Sequence, residues 1–204
     1  MRIVDCVQGS EAWHDLRKGR PTASQFVKII TPAKLQPSAQ MKDYAAELAC
    51  VQLGLDDSPE PMVSYWMERG IELEPEAVAA YEEAIGVPTE EVGFVFPDDS
   101  SLYGCSPDRL LPENGILEVK CPAPTTLTKY LEEGCPNNYK MQIQAQLWIT
   151  GADYCDFWAW HPLFYRACHE THEPDERFFA AFEEQIPKFL ALVAHYKKIL
   201  KGMM

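Results

Sequence analysis

The chain has 204 residues, enough for a sizeable core, and 47% of them are hydrophobic, which excludes a disordered protein. No apolar run has the length of a bilayer span, and the start, MRIVDCVQGSEAW, lacks the charged-then-apolar pattern of a signal peptide, so a cytoplasmic protein is expected. Net charge is −13, which argues against a polyanionic partner held by a global electrostatic field.

The charge is unevenly spread. Residues 1–50 carry seven Lys/Arg and five Asp/Glu, a balance of +2, whereas the rest carries eleven and twenty-six, a balance of −15. Any nucleic-acid contact must therefore use a local basic surface, and LRKGRPTAS, with Arg17, Lys18 and Arg20, is the obvious source. The same region predicts a short helix from Ser10 or Glu11, with Trp13 and Leu16 as its apolar stripe, interrupted by Gly19 and Pro21. Thr22 is placed to cap a second helix, with Gln25 at the capping-box position. Residues 41–53 predict a helix with Tyr44, Leu48 and Val51 at helical spacing. GLDDSPEP reads as a loop, and a longer helix is expected from Ser64 to Ala84, with Pro75 inside it.

From Val92 the period changes. EVGFVF, SLYGCSPDRLL and GILEVK read as strands, the last two joined by a PENG turn in which Asn-Gly supplies positive φ. A short helix near Leu127–Glu132 and a second over Asn138–Thr150 follow. DYCDFWAW and LFYRACHE form a closing hairpin. The tail from Pro174 to Leu200 is an amphipathic helix striped by Phe178, Phe182, Ile186, Phe189 and Val193, with a bend expected at Pro187. This order predicts an α/β fold with a central mixed β-sheet flanked by helices. One domain is expected over 1–204: a helical part to about 90, a sheet core over about 91–170, and the C-terminal helix over about 174–200.

Chemistry concentrates in CSPDRLLPENGILEVKCP. Glu118 and Lys120 are two apart on a strand and share a face with Ile116, while Leu117 and Val119 face the other way. A tight turn keeps Asp108 near Glu118. Two hard carboxylates suit Mg²⁺, with the Val119 carbonyl as a further ligand, and Lys120 is a compact charge able to hold an attacking water or stabilise developing phosphoryl charge. Glu-x-Lys alone is weak evidence, because an exposed ion pair on a strand edge is the commoner explanation; the SPD ten residues upstream turns the reading toward metal-assisted hydrolysis. The seven cysteines are odd in number and contain no Cys-x-x-Cys, which fits reduced thiols. Cys168, His169 and His172 have ligand-like spacing, but no second cluster completes a zinc site, and the end of a hairpin accounts for them.

Pro107-Asp108 followed by Glu118-Val119-Lys120 is the pattern of PD-(D/E)xK nucleases, which have a restriction-endonuclease-like core. EAWHDLRKGRPTAS, ERGIELEPEA, LYGCSPDRLL, GILEVKCP and YKMQIQAQLW, in that order over about residues 11–160, resemble the phage lambda-type alkaline exonucleases, the viral recombinase branch of that fold. The resemblance implies a Mg²⁺-dependent enzyme, with Mn²⁺ as substitute, that digests linear double-stranded DNA 5′→3′. It would leave 3′ single strands for a single-strand annealing protein and form a homotrimer ring around DNA. It implies Asp108, Glu118 and the Val119 carbonyl as metal ligands and Lys120 beside the nucleophilic water. Glu74 is implied near a second metal or its waters, with Pro75 a departure that bears on its pose. Gln142 matches a motif glutamine of the catalytic set, and on a helix it shares a polar face with Tyr139, a candidate DNA contact, and with Gln146, which reads as an ordinary amphipathic position. Arg17 and Ser24 match a 5′-phosphate pocket, and Met67 matches an apolar wedge that parts the first base pairs. Two other readings stand: an endonuclease or junction resolvase on the same core, for which a 5′-phosphate pocket is useless, and a non-catalytic DNA-binding protein, against which the intact Asp108, Glu118 and Lys120 argue.

Overall fold

The structure, a computed structural model, describes residues 1–55, 64–100 and 102–204. It opens with a strand, β1 (Arg2–Val4), too short to show alternation in the sequence. Helix α1 (Glu11–Arg17) is capped by Ser10, whose side chain accepts the Trp13 N–H at 3.3 Å. The next segment is a 3-10 helix (Ala23–Lys28), and Thr22 makes no side-chain cap bond. Instead Thr22 bridges to Gly104, the Ala23 N–H reaches the Gly104 carbonyl at 3.1 Å, and the Thr22 hydroxyl lies 3.3 Å from that of Ser24. Tertiary pairing thus replaces the expected capping box.

Helix α2 (Met41–Leu53) ends on Gly54, which takes the left-handed conformation that lets a helix stop. The loop expected over 54–61 lies, from residue 56 on, outside the described residues. Helix α3 (Tyr65–Ile85) starts at Ser64, which accepts the Met67 N–H, and remains one helix through Pro75. There follow β2 (Phe94–Phe96), β3 (Arg109–Leu111), β4 (Gly115–Lys120), α4 (Pro124–Glu133), α5 (Asn137–Thr150), β5 (Tyr154–Ala159), β6 (Cys168–His172) and α6 (Glu176–Lys201), unbroken at Pro187.

The main sheet has the order β3-β4-β5-β6 and is mixed: β4 and β5 are parallel, and the outer pairs are antiparallel. One expected member is absent from it. β2 pairs with β1 in a separate two-stranded sheet, because the chain start supplies an edge that the sequence did not announce. Of the strand expected over 101–111, only Arg109–Leu111 joins the sheet, while Gly104 and Cys105 make isolated bridges and Ser101 lies outside the described residues. The β3–β4 turn also differs from expectation. Glu113 (φ 53°) and Asn114 (φ 58°) take the positive-φ positions, and the Gly115 N–H returns to the Pro112 carbonyl at 3.2 Å. At Gly115 a Cβ would come within 2.2 Å of the Tyr154 ring, so the ring packs closely over this glycine.

Each face of the sheet carries its own packing. Ile116, Cys155, Phe157 and Ala159 meet Ile143 and Leu147 of α5. Leu117, Val119 and Trp158 meet Ala77, Val78 and Tyr81 of α3 on the other face. A further cluster joins the 3-10 helix, α2, α5 and α6, where Tyr44 stacks on Phe189 at 5.3 Å. Fully buried Phe26, Phe182 and Phe189 each contribute about 1.5–3 kcal/mol through burial alone. The sheet therefore holds β4 rigidly between two helical layers, and its C-terminal end carries the polar residues. Among the described residues, no helix is long and apolar enough to cross a membrane.

Candidate active site

The antiparallel register pairs Arg109 with Leu117, which sets Asp108 opposite Glu118. The Asp108 N–H donates to the Leu117 carbonyl at 3.0 Å, and its Oδ2 accepts the Val119 N–H at 2.6 Å. Glu118 shares the α5 face of β4 with Ile116 and Lys120. It is a carboxylate at 1% exposure inside an otherwise apolar layer. Such burial demands partners. Gln142 Nε2 donates to Oε1 at 2.6 Å, Gln146 Nε2 to Oε2 at 2.7 Å, and Lys120 Nζ also donates to Oε1. The same ammonium donates to the Val119 carbonyl at 2.9 Å and lies 5.3 Å from the Tyr139 ring centre.

The electrostatics follow from two carboxylates and one ammonium sharing a largely buried site at the edge of a cleft. Burial pushes the Asp108 carboxyl up, with the Glu118 charge adding to it and Lys120 opposing. Burial alone would pull Lys120 down, but Glu118 and Asp108 more than offset it and hold the ammonium protonated.

Gln146 corrects the sequence reading, which took it as an ordinary amphipathic position. A helical turn separates it from Gln142, so both amides reach one carboxylate, one to each oxygen. The three- and four-residue spacing of Tyr139, Gln142 and Gln146 was the available signal. What it lacked was burial, since Gln146 is 1% exposed.

A cleft of about 710 Å³ opens beside these groups, and Met67, Glu74, Asp108, Lys120, Thr126 and Tyr139 line it. Met67 is exposed at its mouth on the first turn of α3. Glu74 sits farther along α3 and is bound to Arg109, whose Nη1 lies 3.2 Å from Oε1. Arg17 and Ser24 stand apart from the cleft, both against the 104–106 segment. The Arg17 guanidinium lies 4.1 Å over the Trp13 ring, and the Trp13 indole N–H donates to Ser106 Oγ at 2.8 Å. Burial lowers the Arg17 pKa, with the neighbouring Tyr44 and Cys105 opposing. Ser24 follows Ala23, the residue hydrogen-bonded to Gly104. The ligand-like trio near the end of the chain is split by β6: Cys168 and His172 point to one face and His169 to the other, where it lies 3.2 Å from Asp156.

Asp108, Glu118 and the Val119 carbonyl are hard oxygen donors on one strand pair, and an ammonium already rests on two of the three. That donor set fits a hard divalent cation. Among the described residues no cluster of three or more His, Cys, Asp or Glu side chains is assembled, so the third protein ligand would have to be the carbonyl.

A mixed sheet that brings Asp108, Glu118 and Lys120 together at its end, between helical layers, is the core of the PD-(D/E)xK nuclease fold. Within that class the chain belongs to the family of the YqaJ-like viral recombinase domain, which matches residues 12–153. It is similar to an alkaline exonuclease from Laribacter hongkongensis, with a TM-score of 0.84, 31% identity and coverage of 95% of this chain and 97% of that one. The same enzyme in complex with dAMP superposes with a TM-score of 0.82. A phage-related exonuclease from Haemophilus somnus 129PT shares the fold, with a TM-score of 0.69 at 16% identity over 93% of this chain and 99% of that one. No curated protein matches the chain. The resemblance read from the sequence blocks therefore holds at the level of family and fold.

Proposed function

We propose that the protein is a Mg²⁺-dependent exonuclease that digests linear double-stranded DNA from its 5′ ends, with Mn²⁺ as a working substitute. The observation that carries this reading is the convergence of Asp108, Glu118, the Val119 carbonyl and Lys120 at one end of β4, beside an open cleft, in a chain similar to an alkaline exonuclease. Asp108, Glu118 and the Val119 carbonyl would hold the ion, with Glu74 near a second one or its waters. A divalent ion there supplies Lewis acidity and a water of lowered pKa.

The remaining chemistry belongs to the chain. Gln142 and Gln146 hold the Glu118 carboxylate in one orientation. Lys120 places its ammonium to hold the attacking water and to meet charge developing on the phosphoryl oxygens. Tyr139 covers Lys120 from the helix side. Arg17, a preorganised guanidinium on an indole face, and Ser24 would take the terminal 5′ phosphate. Met67, exposed at the cleft mouth, would wedge apart the first base pairs at a cost of a few kcal/mol per unstacked step.

We read residues 1–204 as one nuclease domain and three copies as a ring around the duplex. A ring reconciles the −13 charge with DNA, because only its channel has to be basic. The 3′ single strand left behind would pass to a single-strand annealing protein.

The test uses end-labelled linear duplex with and without a 5′ phosphate, and a closed circle of the same sequence, in Mg²⁺. Release of nucleotides from phosphorylated 5′ ends with the circle intact is the expected result. Cutting of the circle would replace this reading with an endonuclease. Absence of any cleavage would leave a binding protein.

A further inference from the structure

Two acidic residues border the cleft from different parts of the chain, Glu74 from α3 and Asp108 from the residue just before β3. Nothing in their own elements sets the distance between them. Pro75 contributes no N–H to its helix turn, so the backbone just after Glu74 has one hydrogen bond fewer than an ordinary helix. A single nitrogen joins the two. Arg109 Nη1 donates to the Asp108 carbonyl at 2.6 Å and to Glu74 Oε1 at 3.2 Å. The Arg109 side chain is 16% exposed, and its residue pairs with Leu117, so it points to the α3 face of the sheet.

The backbone around Asp108 is pinned on every side. Gln8 Nε2 donates to the carbonyl of Pro107 at 2.8 Å and to that of Val92 at 2.9 Å. The Asp108 N–H goes to Leu117, and its carbonyl to Arg109. Arg109, Gln8 and Glu74 also line a small cavity of about 200 Å³, together with Asp5 and Glu91. Only one oxygen of Glu74, Oε1, is taken up by Arg109.

We propose that Arg109 is a positioning residue for the reaction: it clamps Glu74 to the Asp108 backbone and so sets the separation of the two carboxylates across the cleft. Its role rests on the nuclease reading of the site, and it acts through Glu74. A guanidinium suits this task because it is planar and always charged, and one Nη carries two N–H groups that can donate to a carboxylate and a carbonyl at once. An Arg that merely neutralised Glu74 would have the opposite signature. Its removal would leave Glu74 a stronger attractor for a cation, whereas removal of a clamp leaves Glu74 out of place.

The experiment is a double-mutant cycle on the full chain: wild type, Glu74→Gln, Arg109→Gln and the double variant. Two readouts are taken, Mn²⁺ binding followed by the EPR signal of the free ion, and steady-state digestion of 5′-phosphorylated linear duplex. Arg109→Gln is expected to lower kcat about tenfold or more, the scale of a lost outer-shell partner, with the KM for DNA changed less than about twofold. Glu74→Gln should weaken Mn²⁺ binding about tenfold in the wild-type background and less than about twofold in the Arg109→Gln background. An effect of Glu74→Gln that persists or grows when Arg109 is absent would overturn the clamp. So would a kcat for Arg109→Gln equal to that of wild type. Arg109→Lys, which keeps the charge and loses the planar guanidinium, should recover part of the lost kcat, and it carries the same cycle should Arg109→Gln fail to fold. Wild-type protein that binds Mn²⁺ but cuts no duplex would remove the nuclease reading while the Mn²⁺ cycle still decides the clamp. Wild-type protein that binds no Mn²⁺ would overturn both.

Discussion

Replacing Gln146 with leucine separates catalysis from stability at one position. Gln146 Nε2 donates at 2.7 Å to Glu118 Oε2, a charge-assisted bond between two buried side chains. Such bonds contribute about 1.5–3 kcal/mol, and the Gln146→Leu variant would leave one Glu118 oxygen without a side-chain donor. The other end of the amide works against the fold, since Gln146 Oε1 is buried without a hydrogen-bond partner. An unpaired buried carbonyl costs about 1–3 kcal/mol, and a leucine side chain of similar volume removes it. The two effects are of similar size and opposite sign. Stability should therefore change by less than about 1 kcal/mol, while the loosened Glu118 lowers kcat by about 10–100-fold at about 1.4 kcal/mol per factor of ten. Thermal unfolding and nucleotide release from linear duplex measure the two quantities on one preparation. Retained activity would show that Gln142 and Lys120 suffice to orient Glu118. A fall in Tm of more than about 5 °C with unchanged activity would make Gln146 a packing residue, contrary to the reasoning.

Lys120→Ala should keep duplex binding and lose at least about a hundredfold in cleavage, because its ammonium bridges Glu118 and the Val119 carbonyl; binding and digestion assays side by side check this, and full activity would remove the assigned role. Arg17→Ala should slow digestion of 5′-phosphorylated ends far more than of 5′-hydroxyl ends, and equal losses on both would sink the phosphate pocket. Asp156 gives an acid-stability prediction. Burial alone would push its carboxyl up, but hydrogen bonds from His169, Thr171 and Tyr81 more than offset it and hold it below its ordinary value. A lowered folded pKa stabilises the protein above the ordinary carboxyl pKa and loses that contribution as pH falls through the folded value. Asp156→Asn should therefore lower Tm at pH 7 and flatten the decline in Tm below about pH 4, as followed by thermal melts across pH; a parallel decline in both proteins would refute it.

Much of the candidate site was legible because its parts are local. A strand period of two puts Glu118 and Lys120 on one face, and a tight turn returns Asp108 to Glu118; the register pairing Arg109 with Leu117 obeys that same geometry. Gln142 was legible only through the resemblance of its motif. Gln146 was not, because an exposed and a buried glutamine have the same spacing. Only packing against β4 makes its amide a partner of a carboxylate.

The family, the helices with apolar stripes, and the acidic strand pair with its lysine could all be read from the chain alone, because they depend on contacts between near neighbours. Other features came from the packed fold. β2 leaves the main sheet for β1, because either edge would accept a short apolar strand and the placement of the chain start selects one. The Thr22 segment becomes a 3-10 helix because Gly104 is offered as a pairing partner. Arg109, unremarkable on its strand, comes between Glu74 and Asp108, thirty-five residues and one residue away in the chain. Long-range pairings of this kind are set by which surfaces meet when the core closes, and no local pattern of residues encodes them.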